Sequence, residues 1–470
     1  MIRKLGKEVS RVGFGGFRVN NAAHGTALRK AITSGINLID TAANFEKGAS
    51  ETIIGNTVQD MISKGEVSRD SLTIVSKSGY LLEDDVEKLD ASKDFVQVRD
   101  KNYHSISPRV LEMQISQSLD RLRTNKLDIF MINAPERMLM AQKRAYSPAQ
   151  LYKDIEVAFQ HLDTEVAKGR ISGYGICSNT LADPQAADHV SLPKIIEACA
   201  KRDNLVAVET PFNFFERQAL VQPHGITVAD VCDKHQLFLM TNRPLTAIYQ
   251  GQIRPFVNHT FGDGTAQAEH AVMEKMSKSL EMLTTMESDL MSELPIEQDA
   301  LATKFIWAQV ISENLSKLSQ NHFAAKHFLE NTVLISLKRD VKALLAYAET
   351  LDEPEALPTF QEWTAEYQKV TAELCGHLID YAYVDCLRKN NDLDRILSAV
   401  CPLLNEPEHT YSSISVKMLR IALANEQIGS VLTGMRQDIY VDDALKALEW
   451  HKEYPLHETD LEDLWRVPFH

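Results

Sequence analysis

Asp40 and Lys77 each close a short apolar run, INLID from Ile36 and SLTIVSK from Ser71. A carboxylate and an ammonium at such ends can pair, shift one another's pKa and assist proton transfer. Asn133 ends a third run, LDIFMIN, and its amide donates a hydrogen bond but gives up no proton. Groups with a proton to give stand in the long stretch from Ser78 to Ser105, which holds Tyr80, Tyr103 and His104. Other chemistries are missing from the pattern. The six cysteines, Cys177, Cys199, Cys232, Cys375, Cys386 and Cys401, form no CxxC pair, and no histidine cluster has metal-ligand spacing. No metal site is therefore expected, and the thiols read as reduced core side chains. The early GFGGF, Gly13 to Phe17, lacks both the spacing and the following acid of a Rossmann fingerprint.

To act together these residues must sit along one edge of a rigid frame. From Met1 to about Arg243 short β-rich runs alternate with amphipathic helical patterns, the signature of a parallel α/β fold. The runs start at Arg11, Ile36, Ser71, Leu127, Ile171, Leu205 and Leu237. Helices open at Ser107-Pro108, Ser147-Pro148 and Leu192-Pro193, because proline at a first helical position loses an N–H that would be unsatisfied anyway. The opening IRKLGKEVSRVGFGG looks like a hairpin leading into the first strand. From about Thr265 to Asn405 no strand-like run appears. Helical periodicities broken at Pro295, Pro354, Pro358 and Pro402 replace them. One stripe carries Met273, Met276, Leu280, Leu283 and Leu290; another carries Phe360, Trp363, Tyr367, Val370, Leu374, Leu378 and Tyr381. Spacings of three and four make each a core-facing stripe. A helix over 413–425, an eighth strand at IGSVLTG from Ile428 and a closing helix from Asp442 then follow.

The stretch INLIDTAANFEKGASE, from Ile36 to Glu51, is a strand, a small-residue turn with Gly48 at the bend, and a capped helix opened by Ser50 and Glu51. It resembles the second strand and active-site loop of the aldo-keto reductases: Asp-Thr-Ala, two variable residues, Tyr, Gly, any residue, Gly, any residue, Ser-Glu. Phe45 stands at the tyrosine position. The resemblance covers residues 1–249 and 413–455 and implies a (β/α)8 TIM barrel, α/β in class, whose eighth strand closes it. On that reading 1–249 and 413–470 form the barrel. Residues 250–412 are an all-α insertion between strand 7 and helix 7, and it leaves from the active-site face as a lid, a specificity element or a docking surface.

The resemblance also implies roles. In the family a tyrosine donates a proton, a lysine lowers its pKa, an aspartate pairs with the lysine and a histidine positions the carbonyl, while a nicotinamide delivers hydride. Asp40 and Lys77 match the aspartate and lysine; Phe45 and Asn133 replace the tyrosine and histidine. Ordinary carbonyl reduction is expected to be severely impaired, since a positioned acid is worth about 10²- to 10⁴-fold. Tyr80, Tyr103 or His104 would be the substitute acid, against the plainer reading that Asp40 and Lys77 persist only as a buried pair. For NADP or NAD, the resemblance points to Gly16 and Phe17 beside the nicotinamide and to Ser178 and Asn179 at its carboxamide. Glu209 stands where a glutamine is usual, Arg243 in the loop after the seventh strand, and Gly434, Met435, Arg436 and Tyr440 in the turn after the eighth. Tyr440 and Ala444 fall where many members carry an arginine and an asparagine, so this turn does not favour NADP.

A length of 470 residues fits two compact units or a barrel with a large insertion. With 65 acidic and 50 basic residues, the net charge of -15 disfavours a general nucleic-acid or anionic-membrane surface. No stretch reaches the roughly 20 apolar residues of a membrane span. A cytoplasmic location is the default expectation, with organellar targeting left open. Three functions stay open: an oxidoreductase acting on a small-molecule carbonyl or sugar-like alcohol, a catalytically silent relative binding protein partners through the insertion, and a nucleotide sensor.

Overall fold

The computed structural model describes residues 1–142, 145–221, 225–249, 252–258, 269–294, 296, 299–351, 356–405 and 413–467. Eight strands pair in parallel: β1 (Val12–Gly15), β2 (Leu38–Asp40), β3 (Thr73–Ser78), β4 (Leu127–Asn133), β5 (Ile171–Cys177), β6 (Leu205–Pro211), β7 (Phe238–Asn242) and β8 (Ser430–Gly434). They follow one another around a closed barrel, and β8 meets β1 from Val12↔Val431 to Gly15↔Gly434. The fold is the expected (β/α)8 barrel. Its helices are Ala22–Thr33, Ala49–Ser63, Pro108–Leu122, Pro148–Ala167, Leu192–Glu197, Val228–Lys234, Ile414–Leu423 and Asp438–Glu453.

Local chemistry explains these boundaries. Ser107 and Ser147 accept from the N–H groups of Val110 and Gln150, with Pro108 and Pro148 in the first turn. Thr227 and Asp230 form a reciprocal capping box. Ser50 is not the cap expected of it. Gly48, in left-handed conformation and with no side chain to cap, precedes its helix, and the Ser50 hydroxyl instead donates to the Gly16 carbonyl at 2.8 Å. Glu51 is likewise buried, accepting from Ser76 at 2.6 Å and pairing with Arg121 at 2.6 Å. Gly55 lets two helices touch: a Cβ there would lie 2.4 Å from the Arg121 carbonyl oxygen.

Leu38, Val75, Ile129, Met131, Val206, Met240 and Leu432 fill the barrel interior together with Ile2. The opening hairpin is a single antiparallel bridge, Ile2 to Lys7, around a 3-10 turn. Lys4 donates to the carbonyls of Arg202 and Leu205, and Lys7 to that of Leu72, so the hairpin caps the ends where the strands start. The other end, where Asp40, Lys77 and Asn133 lie, is the catalytic end in barrels of this kind.

The chain divides into two compact units, residues 1–247 with 400–470, and residues 248–399. After a two-stranded hairpin, Thr246–Tyr249 with Gln252–Pro255, the second unit is built on helices Glu269–Glu293, Trp307–Leu318, Leu334–Ala348 and Ala356–Val400. Its core contains Leu283, Leu290, Phe305, Leu337, Phe360 and Leu374, with Trp363 stacked on Tyr367 at 4.8 Å. Most of both predicted stripes is buried, but Met273 is exposed. Pro358 breaks no helix, because it falls in the first turn of Ala356–Val400, where a missing N–H costs nothing. The expected limits 250 and 412, and the breaks at Pro295 and Pro354, lie outside the described residues. Where the chain rejoins the barrel, two buried cations hold it. Arg420 donates to the carbonyls of Leu403 at 2.9 Å and Tyr454 at 2.7 Å and lies over Trp450, and Lys417 donates to Asn405 at 3.1 Å. Among the described residues no helix is long and apolar enough to cross a membrane, and all six cysteines are free and buried.

Candidate active site

Lys77, near the end of β3, is almost wholly buried. Its ammonium donates to Asp40 on β2 and to the Thr41 carbonyl at 3.2 Å, and pairs with Glu209 of β6 at 3.2 Å. Glu209 in turn accepts from Asn242 at 2.7 Å through its other oxygen. The ammonium thus makes two hydrogen bonds, to a carboxylate and a carbonyl, with a second carboxylate in ionic contact. Burial pushes the Asp40 carboxyl up to about 7; Lys77 pulls it back and Glu209 adds to the rise. For Lys77 burial pulls down, yet Asp40 and Glu209 together outweigh it and hold the ammonium above the usual lysine range. Two carboxylates around one cation carry one negative charge too many, so the cluster keeps an extra proton close to neutrality.

The Phe45 ring lies over this ammonium, 5.5 Å from centroid to Nζ, and meets Phe17 edge-on at 5.3 Å. Phe45 leads a turn in which Glu46 and Lys47 both adopt left-handed conformation. Such residues cost of order 1 kcal/mol or more where glycine would cost little.

The long loop after β3 forms its own small antiparallel sheet, Tyr80–Leu81, Val96–Arg99 and Asn102–His104. Gly79 fastens it to β4: a Cβ there would lie 2.4 Å from the Asn133 carbonyl and 2.6 Å from His104 Nε2. Gln114 completes the clasp, accepting from Gly79 N–H and donating to the Tyr80 carbonyl at 2.9 Å. His104 is fully buried, with Nε2 2.8 Å from the Asn133 carbonyl, and burial lowers its pKa to about 4. It is therefore a neutral structural donor, not an acid at the mouth. Tyr103 packs edge-on against Phe95 and belongs to a small cluster with Leu81 and Val110. Tyr80 is half-buried and edge-on to His104, with Arg137 near enough to act on its hydroxyl electrostatically. Burial raises its pKa above the usual tyrosine range, and Arg137 offsets only part of that rise. The side-chain amide of Asn133 makes no hydrogen bond among the described residues.

His104 also predicts an acid limb. Its unfolded pKa is near 6.5 and its folded value about 4, so its contribution is complete above pH 6.5 and is lost as pH falls toward 4. The full contribution is about 3 kcal/mol. Asp40 works oppositely, favouring the folded state at low pH and losing that contribution as pH rises from about 4 to about 7. His104→Asn, which keeps a donor toward the Asn133 carbonyl, should flatten acid destabilisation between pH 6.5 and 4.5 in hydrogen-exchange protection of β4. An unchanged acid limb would refute this.

The model of the Aldo/keto reductase family matches residues 11–327. This chain belongs to that family. Among curated relatives, it is 24% identical over 238 residues to an uncharacterized oxidoreductase, YqkF, of Bacillus subtilis, covering 48% of this chain and 62% of that protein. It is 24% identical over 176 residues to the NAD(P)H-dependent D-xylose reductase of Candida tenuis, covering 35% of this chain and 47% of that protein. The chain thus spans about half to three fifths of these relatives. A solved aldo/keto reductase from Klebsiella pneumoniae in complex with NADP and acetate matches at 18% identity, covering 50% of this chain and 65% of that one, with a TM-score of 0.34.

Seen as an aldo/keto reductase, the chain brings some expected residues together and turns others to different uses. Asp40, Lys77, Phe45 and Glu209 form one cluster, although the Lys77–Glu209 pair had no sequence signal. Gly16 lies against β2, its N–H donating to the Asp40 carbonyl at 2.7 Å, and Phe17 is exposed. Ser178 is buried, while Asn179 is exposed and its N–H donates to Glu136 at 3.1 Å. Arg243 is held by Glu216 at 2.6 Å. Met435 is a core side chain that leaves only its backbone available. Arg436 forms no ion pair among the described residues, and burial followed by the nearby Arg18 lowers its pKa, with Tyr440 and Glu46 opposing. Arg18 and Arg137 went unnoticed in the sequence, since neither closes a strand or sits in a recognised motif.

Proposed function

We propose that this protein is an NAD(P)(H)-dependent oxidoreductase of a small carbonyl compound, with a proton supply unlike that of its relatives. The observation that carries the reading is the buried Asp40–Lys77 pair at the catalytic end of the barrel, beside an Asn133 amide left without a partner among the described residues. The dinucleotide would bring hydride. Arg18 and Arg436, two cations side by side, suit its phosphates, and Ser178 and Asn179 suit its carboxamide. Glu209 suits the carboxamide less well, because a carboxylate accepts but does not donate. The conventional donor is lacking, as Phe45 has no proton and Lys77 faces carboxylates.

That same ring over Lys77 supports a second reading, a silent relative that binds dinucleotide or protein without turnover. Titration with NADPH and NADH, followed by intrinsic fluorescence, separates the two. Binding with slow, dinucleotide-dependent reduction of carbonyl compounds supports the enzyme. Binding without turnover favours a sensor, and no binding at millimolar concentration removes enzyme and sensor alike and leaves the protein-binding relative.

A further inference from the structure

We infer that Tyr80 is the proton donor to the substrate oxygen, with the Asn133 amide as its partner in holding that oxygen. The inference rests on the oxidoreductase reading above. Three side chains in the loop after β3 could supply a proton, and the geometry separates them. His104 has no solvent exposure and its Nε2 is engaged by the Asn133 carbonyl at 2.8 Å. Tyr103 faces Phe95 and the loop's own apolar cluster. Of the three, only Tyr80 combines partial exposure with a cation nearby and a place beside the end of β4.

Its position is fixed rather than incidental. Gln114 accepts from the N–H of Gly79 at 3.2 Å and donates to the Tyr80 carbonyl at 2.9 Å, so the backbone on both sides of the ring is pinned. The close approach of Gly79 to the Asn133 carbonyl brings Tyr80 to the β4 end, where the Asn133 amide lies. Arg137 arrives from the same strand end, in the 3-10 turn Pro135–Met140 that follows β4. Burial holds the phenol above the usual tyrosine range, so Tyr80 stays protonated at neutral pH with a proton to give, and the nearby Arg137 guanidinium would offset part of the charge left behind.

The step balances. The reduced nicotinamide, when bound, supplies a hydride to the carbonyl carbon and is left oxidised. As the C=O π pair moves onto oxygen, that oxygen takes the Tyr80 hydroxyl proton, giving the alcohol. The tyrosinate left behind faces the Arg137 guanidinium and regains its proton from water reaching the half-buried ring.

The test uses the full chain with NADPH and a carbonyl substrate. Tyr80→Phe should lower kcat by about 10²-fold or more while dinucleotide affinity, read by fluorescence, stays within about twofold. Tyr103→Phe should match the parent. Arg137→Gln should move the alkaline limb of kcat/KM to higher pH, because the cation that draws the phenol's pKa down is gone. The same upward move should appear in ultraviolet titration of tyrosine ionisation, for a group that Tyr80→Phe removes. Turnover in the parent with Tyr80→Phe within about threefold of it would overturn the role of Tyr80 and leave the oxidoreductase reading standing. A parent that binds NADPH yet reduces no carbonyl overturns the oxidoreductase reading and this role with it.

Discussion

Lys77→Met is expected to destabilise the barrel by about 3–5 kcal/mol, because it leaves Asp40 and Glu209 buried without their shared cation. The loss should depend on pH with a definite sign. Asp40 is already pushed up to about 7 by burial and by Glu209, and removing the ammonium raises it further. The variant is therefore least stable at alkaline pH and recovers as acid neutralises the carboxyls. Hydrogen exchange of the β2, β3 and β6 amides at pH 6 and pH 8 measures this better than a single melting point, since a chain with two cores need not unfold in one step. Adding Asp40→Asn and Glu209→Gln should restore most of the protection. A loss under about 1 kcal/mol at pH 8 in the single variant would show that the pair is not the anchor described here.

The second large effect concerns activity. Phe45→Tyr with Asn133→His supplies the conventional donor and carbonyl ligand, yet Lys77 would still face Glu209 at 3.2 Å. The double variant should gain less than about tenfold in kcat/KM for carbonyl reduction. Adding Glu209→Gln removes the competing carboxylate and lets the ammonium turn to the new phenol. The triple variant should gain about 10²-fold or more, the value of a positioned acid acting with its partners as a unit. Equal activity of the double and triple variants would mean that Glu209 does not hold Lys77 away from the mouth.

The barrel was legible because its strands are covered on both faces, so β3, β4 and β5 appear as short runs dominated by apolar residues, with Lys77 and Asn133 only near their ends, and because proline marks helix starts such as Pro108 and Pro148. Order along the chain then placed Asp40, Lys77 and Asn133 at one end. Pairing across the barrel was not legible. Lys77 and Glu209 lie on β3 and β6, strands that share no hydrogen bonds, and their meeting depends on barrel closure. The sheet after β3 was hidden for a different reason: strands of two to four residues, such as Tyr80–Leu81, are too short for alternation to register. Ser50 was misread because a serine near a helix start is usually a cap. Only the fold shows its hydroxyl tied to the Gly16 carbonyl.

The buried clasp around Arg420 bears on how this barrel tolerates a long excursion between β7 and β8. Because Arg420 binds the carbonyls of Leu403 and Tyr454, both in the barrel's own unit, the helix that leads into β8 is anchored within that unit. Closing a longer flexible loop costs only about 0.6 kcal/mol for each doubling of its length. With re-entry anchored this way, the entropy of closing the span between the two strands sets only a weak limit on its length.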